Sequence, residues 1–203
     1  MTDHNDTTIK SYEEEYQIYV DKTAGEVVGS IKQFIDRFLA HVGTADPILE
    51  IGSGPGRDAI YIETRGYKVV RTDAAKSFVK HMIGQGYEAD VLDIINDSLG
   101  VKFNAIFANA VFLHFDDKDF RRAVSNTKSM LNDNGIFALS LQKGNFRAVS
   151  DHKHRARYFH EWTEKQIIPL MTELGFEEID SFEGESVSKR KKWIMLILKK
   201  SSA

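Results

Sequence analysis

The sequence predicts an α/β protein built on a mostly parallel, doubly wound sheet. Three observations carry that prediction. Between Ile48 and Leu141, apolar runs of strand length alternate with stretches of helical periodicity. The first run, Ile48-Leu49-Glu50-Ile51, passes straight into Gly52-Ser53-Gly54-Pro55-Gly56, and a helix-like stretch starts at Arg57. Two late strand-like runs, Phe176 to Phe182 and Trp193 to Leu198, suit an antiparallel pair at a sheet edge. In an open α/β sheet, a loop like 52–56 lies at the carboxyl end of the first strand, where ligands bind. It reads as the cradle of a nucleoside-bearing cofactor, with a ligand-free tight turn as the plainer alternative.

The type of cofactor follows from the loop's departures. The dinucleotide fingerprint has a glycine at its sixth place, where this chain has Arg57. Pro55 removes a backbone N–H, and a pyrophosphate needs such donors. No Gly-Lys-Ser or Gly-Lys-Thr follows, so this is not a P-loop. What remains, G-x-G-x-G after a strand carrying Glu50, resembles the first motif of class I S-adenosylmethionine-dependent methyltransferases.

Composition narrows the class. The 203 residues suit one domain, or one domain with an arm, and 42% hydrophobic residues supply a core. A net charge of −3 gives no global footprint for nucleic acid. There are no cysteines, which excludes disulfides, thiolate catalysis and cysteine zinc sites. No apolar run is long enough to span a bilayer. The start, Met-Thr-Asp-His-Asn-Asp, is unlike a secretory signal. A soluble cytoplasmic protein is expected.

Residues 1–10 are polar and are expected to be mobile. Tyr12, Tyr16 and Tyr19 then fall on one helical face. They form either a stripe against the core or a lid whose rings cover a cationic sulfonium. Val27, Ile31, Phe34, Ile35, Phe38 and Val42 mark a helix packed on the sheet. Residues 1–45 are thus an N-terminal helical arm belonging to the same domain as 46–203.

The helix after the loop runs from about Arg57 to Arg65. A second strand, Tyr67 to Thr72, ends at Asp73, where a carboxylate can accept from both ribose hydroxyls or cap the next helix. Residues 76–83 are helical. Tyr87 to Asp90 is a short third strand, placing Asp90-Val91 at the same sheet end, as adenine contacts or as a plain loop acid. The fourth strand, Phe103 to Asn109, leads to Ala110-Val111-Phe112-Leu113-His114. His114 is a candidate general base, or a buried histidine bonded to backbone. Asn-Ala-Val-Phe is not the tetrapeptide of methyltransferases acting on nucleic-acid amino groups.

Asp116 to Leu131 is a helix with an acidic start. Asn132 to Gly135 is a turn, and Ile136 to Leu141 the fifth strand. Residues 142–160 read as an irregular, cation-rich insert. His152, His154 and His160 lie there among Lys153, Arg155 and Arg157, so a basic lid meeting an anionic substrate group, or a plain solvated basic loop, fits better than a metal site. Thr163 opens a helix with a capping box through Gln166, Pro169 lies within it, and Gly175 ends it. Lys189 to Lys192 is a charged loop that keeps the edge pair soluble.

Taken together, the chain resembles a compact class I methyltransferase acting on small molecules, over nearly its whole length. The resemblance implies a seven-stranded sheet in the order 3-2-1-4-5-7-6, with strand 7 antiparallel. It implies S-adenosylmethionine as cofactor, held by Gly52, Ser53, Gly54, Gly56 and neighbouring Arg57, by Asp73 at the ribose, by Asp90 and Val91 at the adenine, and by Asn109 and Ala110 beside the methionine portion. Tyr12, Tyr19 and Thr23 match an N-terminal motif that lies over the cofactor in some relatives. Arg157-Tyr158-Phe159 through Trp162-Thr163 matches a later one. Where relatives carry an acidic turn after the fifth strand, this chain has Gly144-Asn145-Phe146-Arg147 and a longer basic insert. The expected reaction is methyl transfer to an oxygen or nitrogen of a small, anionic acceptor, with His114 as catalytic residue and no metal. The alternative is a non-catalytic cofactor-binding module; an NAD-dependent enzyme is disfavoured by Arg57 and Pro55.

Overall fold

The structure, a computed structural model, describes residues 4–23, 25–151, 156–186, 188 and 190–202. His152, Lys153, His154, Arg155 and Lys189 of the basic segments lie outside the described residues. The chain opens with helices α1 (His4–Thr23) and α2 (Gly29–Leu39). Strand and helix then alternate through β1 (Ile48–Ile51), α3 (Arg57–Thr64), β2 (Val69–Asp73), α4 (Lys76–Gly84), β3 (Ala89–Val91), β4 (Phe103–Ala108), α5 (Asp117–Ser129) and β5 (Leu131–Gln142). The hairpin β6 (Arg147–Asp151) and β7 (Ala156–His160) follows, then α6 (Glu164–Glu173), β8 (Phe176–Glu185) and β9 (Lys192–Lys200).

Seven strands form one sheet in the order β3-β2-β1-β4-β5-β9-β8. The first five are parallel, and β9 is antiparallel to both its neighbours. This is the order expected from the sequence once the β6–β7 hairpin, a separate two-stranded sheet, is set aside. Strand order reverses between β1 and β4, which puts the switch point above Ile51 and Ala108.

Both faces of the sheet are covered, which is why β1 is buried along its whole length. On one face, Phe34 and Phe38 of α2 pack on Phe107, with ring centroids 5.2 and 5.3 Å apart. On the other, Phe120 and Val124 of α5 and Ile167 and Met171 of α6 join Leu49, Ile106, Leu139 and Leu196. Each such side chain stabilises the fold by about 1.5–3 kcal/mol. Among the described residues no helix is long and apolar enough to cross a membrane.

Three local expectations are corrected. Residues 4–10 are not a loose tail: α1 starts at His4 and buries Asn5, Thr8 and Ser11. These are polar, so they leave no hydrophobic signal. The turn at 132–135 lies within β5, whose register with β4 slips between Phe103 and Ala105, with Asn134 at φ 62°. The insert is not irregular, because its flanks form β6 and β7. The Tyr158 N–H donates to Thr8 Oγ1 of α1 (3.2 Å), so this hairpin is fastened by the same arm.

Gly52 is required on two counts. Its φ is +70°, and a Cβ there would overlap Val111 Cγ2. Gly54, at φ +55°, has open space around it. Gly54→Ala should therefore cost only the backbone term, about 1–2 kcal/mol. Gly52→Ala should cost more, and the excess should shrink in the Gly52→Ala/Val111→Ala double variant. Urea midpoints measure both; equal losses for the two single variants would show that the overlap does not matter.

Candidate functional site

A cavity of about 350 Å³ lies over the carboxyl ends of β1, β2 and β4, within the size range of ligand pockets. One wall is the Gly52–Gly56 loop. Its Ser53 N–H donates to Thr72 O (2.8 Å), and its Gly54 N–H donates to Asp73 Oδ2 (2.8 Å). Asp73 Oδ1 accepts from the Ala75 N–H (2.8 Å). One carboxylate thus ties the loop after β1 to the loop after β2, and each of its oxygens keeps a lone pair for a ligand. Burial pushes Asp73 up to about 6, against the pull of the Ala75 and Gly54 N–H groups.

Asp73 is not the cap of α4. That helix has Ala75 at its N-cap, without a side-chain bond. Its first N–H groups are met instead by Glu13 of α1, which accepts from Lys76 N–H and from Ser77 N–H (3.0 Å). A carboxylate there also suits the helix dipole. Sequence reasoning missed Glu13, because nothing local links it to a helix 63 positions on.

The opposite wall comes from the end of β4. Ser140 Oγ, fully buried on β5, accepts from Ala110 N–H (2.8 Å) and donates to Asn109 Oδ1 (2.6 Å). Asn109 Nδ2 donates to Asp58 Oδ2 (2.7 Å), and Arg57 Nε donates to Asp58 Oδ1 (2.8 Å). Asn109, Ala110, Arg57 and Asp58 all line the cavity. Ala110 takes φ 60°, uncommon for a residue with a Cβ. Asp58 and Ser140 were not foreseen. They are ordinary residues in their own elements and gain meaning only through this chain of bonds.

His114 sits in a single 3-10 turn, Phe112–His114, and is buried. Its Nδ1 lies 2.7 Å from Tyr158 O, and a carbonyl only accepts, so Nδ1 carries the hydrogen. Its Nε2, 2.8 Å from the Tyr12 hydroxyl, is then the acceptor of the Tyr12 hydrogen. Burial pushes the ring down to about 4, Arg157 pushes the same way, and the Tyr158 carbonyl opposes. The basic nitrogen proposed from sequence is therefore already occupied.

The tyrosines of α1 divide. Tyr12 and Tyr19 line the cavity, with ring centroids 5.0 Å apart, whereas Tyr16 does not. Arg157 Nη1 donates to the Tyr19 hydroxyl (2.7 Å), and its guanidinium lies 5.0 Å from the Tyr12 ring centroid. Among the described residues of the insert, Arg147 pairs with Asp117 (3.1 Å) and Lys143 with Glu164 (2.8 Å) and Glu183, and neither these nor Arg157 line the cavity directly. His160 is buried and stacked on Trp162, 3.9 Å between centroids. Among the described residues no cluster of histidines and acids could hold a metal.

Asp90 and Val91 are not brought to the cavity. β3 is the edge strand, and both residues are exposed, with Asp90 lining a separate pocket with Lys102 and Val91 46% exposed. The strand runs one residue further than expected, with Val91 opposite Asp73. The residues that do turn in are Leu92, Asp93 and Ile94, and Asp93 accepts from Asn5 Nδ2 (2.9 Å).

A glycine loop, a strand-end acid and an asparagine across the switch point thus meet on one cavity of a doubly wound α/β protein. The chain belongs to the family described as methyltransferase domain, whose profile matches residues 23–179. Among curated proteins none matches the sequence. Among solved structures it resembles 1,6-didemethyltoxoflavin-N1-methyltransferase of Burkholderia thailandensis, crystallised with 1,6-didemethyltoxoflavin and S-adenosylhomocysteine, at 17% identity and TM-score 0.77, over 97% of this chain and 88% of that one. An S-adenosylmethionine-dependent methyltransferase of Clostridium acetobutylicum is similar at 14% identity and TM-score 0.70, over 94% and 99%. The cyclase SpnF is similar at 11% and TM-score 0.71, over 96% and 94%. At these identities the likeness is one of fold.

A neutral, buried His114 has a signature in acid. Between its ordinary value of 6.5 and about 4, the unfolded chain binds a proton at this ring that the folded chain does not. Stability is then lost as pH falls through that window, by up to about 3 kcal/mol. Urea midpoints at pH 7 and pH 4.5 should drop more for the wild type than for His114→Gln. Equal drops would show that the ring is not held neutral.

Proposed function

We propose that the chain transfers the methyl group of S-adenosylmethionine to an oxygen or nitrogen of a small molecule. The observation that carries this reading is the single cavity that joins Gly52, Gly54 and Asp73 to Asn109, His114 and Tyr12. The residues present fit the cofactor. Asp73 has lone pairs to spare for a pair of hydroxyls, Asp93 offers a second acid nearby, and the faces of Tyr12 and Tyr19 suit a cation. When bound, S-adenosylmethionine supplies an electrophilic methyl group on a sulfonium.

The protein's part is positioning and exclusion of water. Gly54 and Asp73 fix one end of the site, while Asn109 and Ala110, braced by Ser140 and Asp58, fix the other. α1 covers both. His114 works through Tyr12: it holds the hydroxyl hydrogen, and the Tyr12 oxygen, which the Tyr19 hydroxyl also approaches (3.4 Å), keeps a lone pair to accept an N–H or O–H from the methyl acceptor. Arg157, which contacts both cavity tyrosines, is the described cation of the insert that supports an anionic group on that acceptor. The rival reading, a module that binds without catalysing, has no use for a cavity reaching Asn109 and His114.

Calorimetric titration with S-adenosylmethionine and S-adenosylhomocysteine tests the reading. Both should bind the wild type. Asp73→Ala should weaken binding about 10-fold or more, from the loss of hydrogen bonds to a charged group. Asp93→Ala should weaken it as well, whereas Asp90→Ala should bind like the wild type. Failure of the folded wild type to bind either compound overturns the proposal.

A further inference from the structure

One stretch of the cavity wall holds none of the residues assigned to the methyl donor. It is made by Ile31 of α2 and by Glu185, Ser186, Trp193 and Met195 of the β8–β9 hairpin. The hairpin is held there closely. A Cβ at Gly184 would lie 2.7 Å from Ser30 Cβ and 2.8 Å from Met195 Cε, so only glycine lets α2 come this near. The next backbone N–H, of Glu185, donates to Ser30 Oγ (2.9 Å). Glu185 is thereby fixed by its backbone at the cavity while remaining exposed.

Two side chains of this stretch are left open to a ligand. Trp193 is half-buried and packs on the core, but the residue opposite it in the strand pairing is Gly184, which offers its indole no side chain. The Glu185 carboxylate has no hydrogen bond or ion pair among the described residues, although Lys192 stands opposite it in register. The other acids on the cavity are engaged: Asp58 by Arg57 and Asn109, Asp73 by two backbone N–H groups, Asp93 by Asn5. Arg57, bound to Asp58, is the one base in the lining, against four acids. The charge that remains to be answered is therefore negative, and it belongs to Glu185. A cation is favoured there and an anion repelled.

We propose that this end of the cavity takes a methyl acceptor with an aromatic ring and a protonated amino group, the ring against Trp193 and the ammonium at the Glu185 carboxylate. Rings stack on indole, and indole also attracts cations. The ammonium is a handle and not the nucleophile, since a protonated nitrogen has no lone pair with which to attack. It is a separate group from any anion presented to Arg157. The proposal rests on the methyl-donor reading above, which assigns the rest of the cavity to the cofactor.

The test uses the full chain saturated with S-adenosylhomocysteine and three probes of one size: 2-phenylethylamine, 2-phenylethanol and 3-phenylpropionate. Binding is read from tryptophan fluorescence. The chain has two tryptophans, and Trp162 is only 2% exposed, so Trp193 is the reporter. The amine should bind about 5-fold more tightly than the alcohol, the scale of an ion pair at an exposed carboxylate, and the anion more weakly than either. In Glu185→Gln the amine and the alcohol should bind alike. In Trp193→Phe the fluorescence change should be lost. An anion that binds as well as the amine overturns the proposal, as does binding of none of the three. So does a preference for the amine that survives in Glu185→Gln, or a fluorescence change that survives in Trp193→Phe. Those outcomes leave the methyl-donor reading standing, whereas failure of the wild type to bind S-adenosylhomocysteine removes both.

Discussion

The site depends on one carboxylate that holds two loops together. Asp73 takes the Gly54 N–H on one oxygen and the Ala75 N–H on the other, so the turn after β1 and the turn after β2 cannot move apart without baring a buried charge. The cost of an unpaired buried carboxylate makes that tie stiff. The rest is arranged around it: Gly52 packs against Val111 beneath the same loop, and α4 leaves directly from the second turn.

A second principle is that polar groups at the cavity are bonded to one another before any ligand arrives. Ser140, Asn109, Asp58 and Arg57 form one chain across three elements. Tyr158, His114 and Tyr12 form another, joining the insert to the arm. Such chains fix side-chain orientation, which a reaction that depends on alignment needs. The same logic explains why a histidine that looks like a free base in the sequence is instead a fixed, neutral acceptor.

Most of the fold was legible because it rests on periodicity. Strands such as Phe103 to Ala108 and Phe137 to Leu141 are apolar runs that a sheet covered on both faces demands, and Phe34 and Phe38 recur at helical spacing. The glycine loop and Asp73 were legible because their chemistry is local. What was not legible depends on distant pairing. The helix at 4–10 is polar and is held by Asp93 and by the insert. β6 and β7 are obscured by basic residues, and their pairing shows only in the fold. Glu13 and Ser140 act through residues far along the chain. Asp93 was not legible because the end of a three-residue strand cannot be fixed by pattern alone.

The way α1 is fastened bears on the speed of exchange. Its side chains reach both walls of the cavity, Asn5 to Asp93 on one side and Tyr12 to His114 on the other, while Glu13 closes the end of α4. Lifting the helix as a whole would break these bonds together, which makes its opening a concerted, activated event. Residence time is then set in part by Asn5 and Glu13, which lie away from the reacting atoms, and the slow step of a turnover cycle can lie in the arm while the chemistry lies in the sheet.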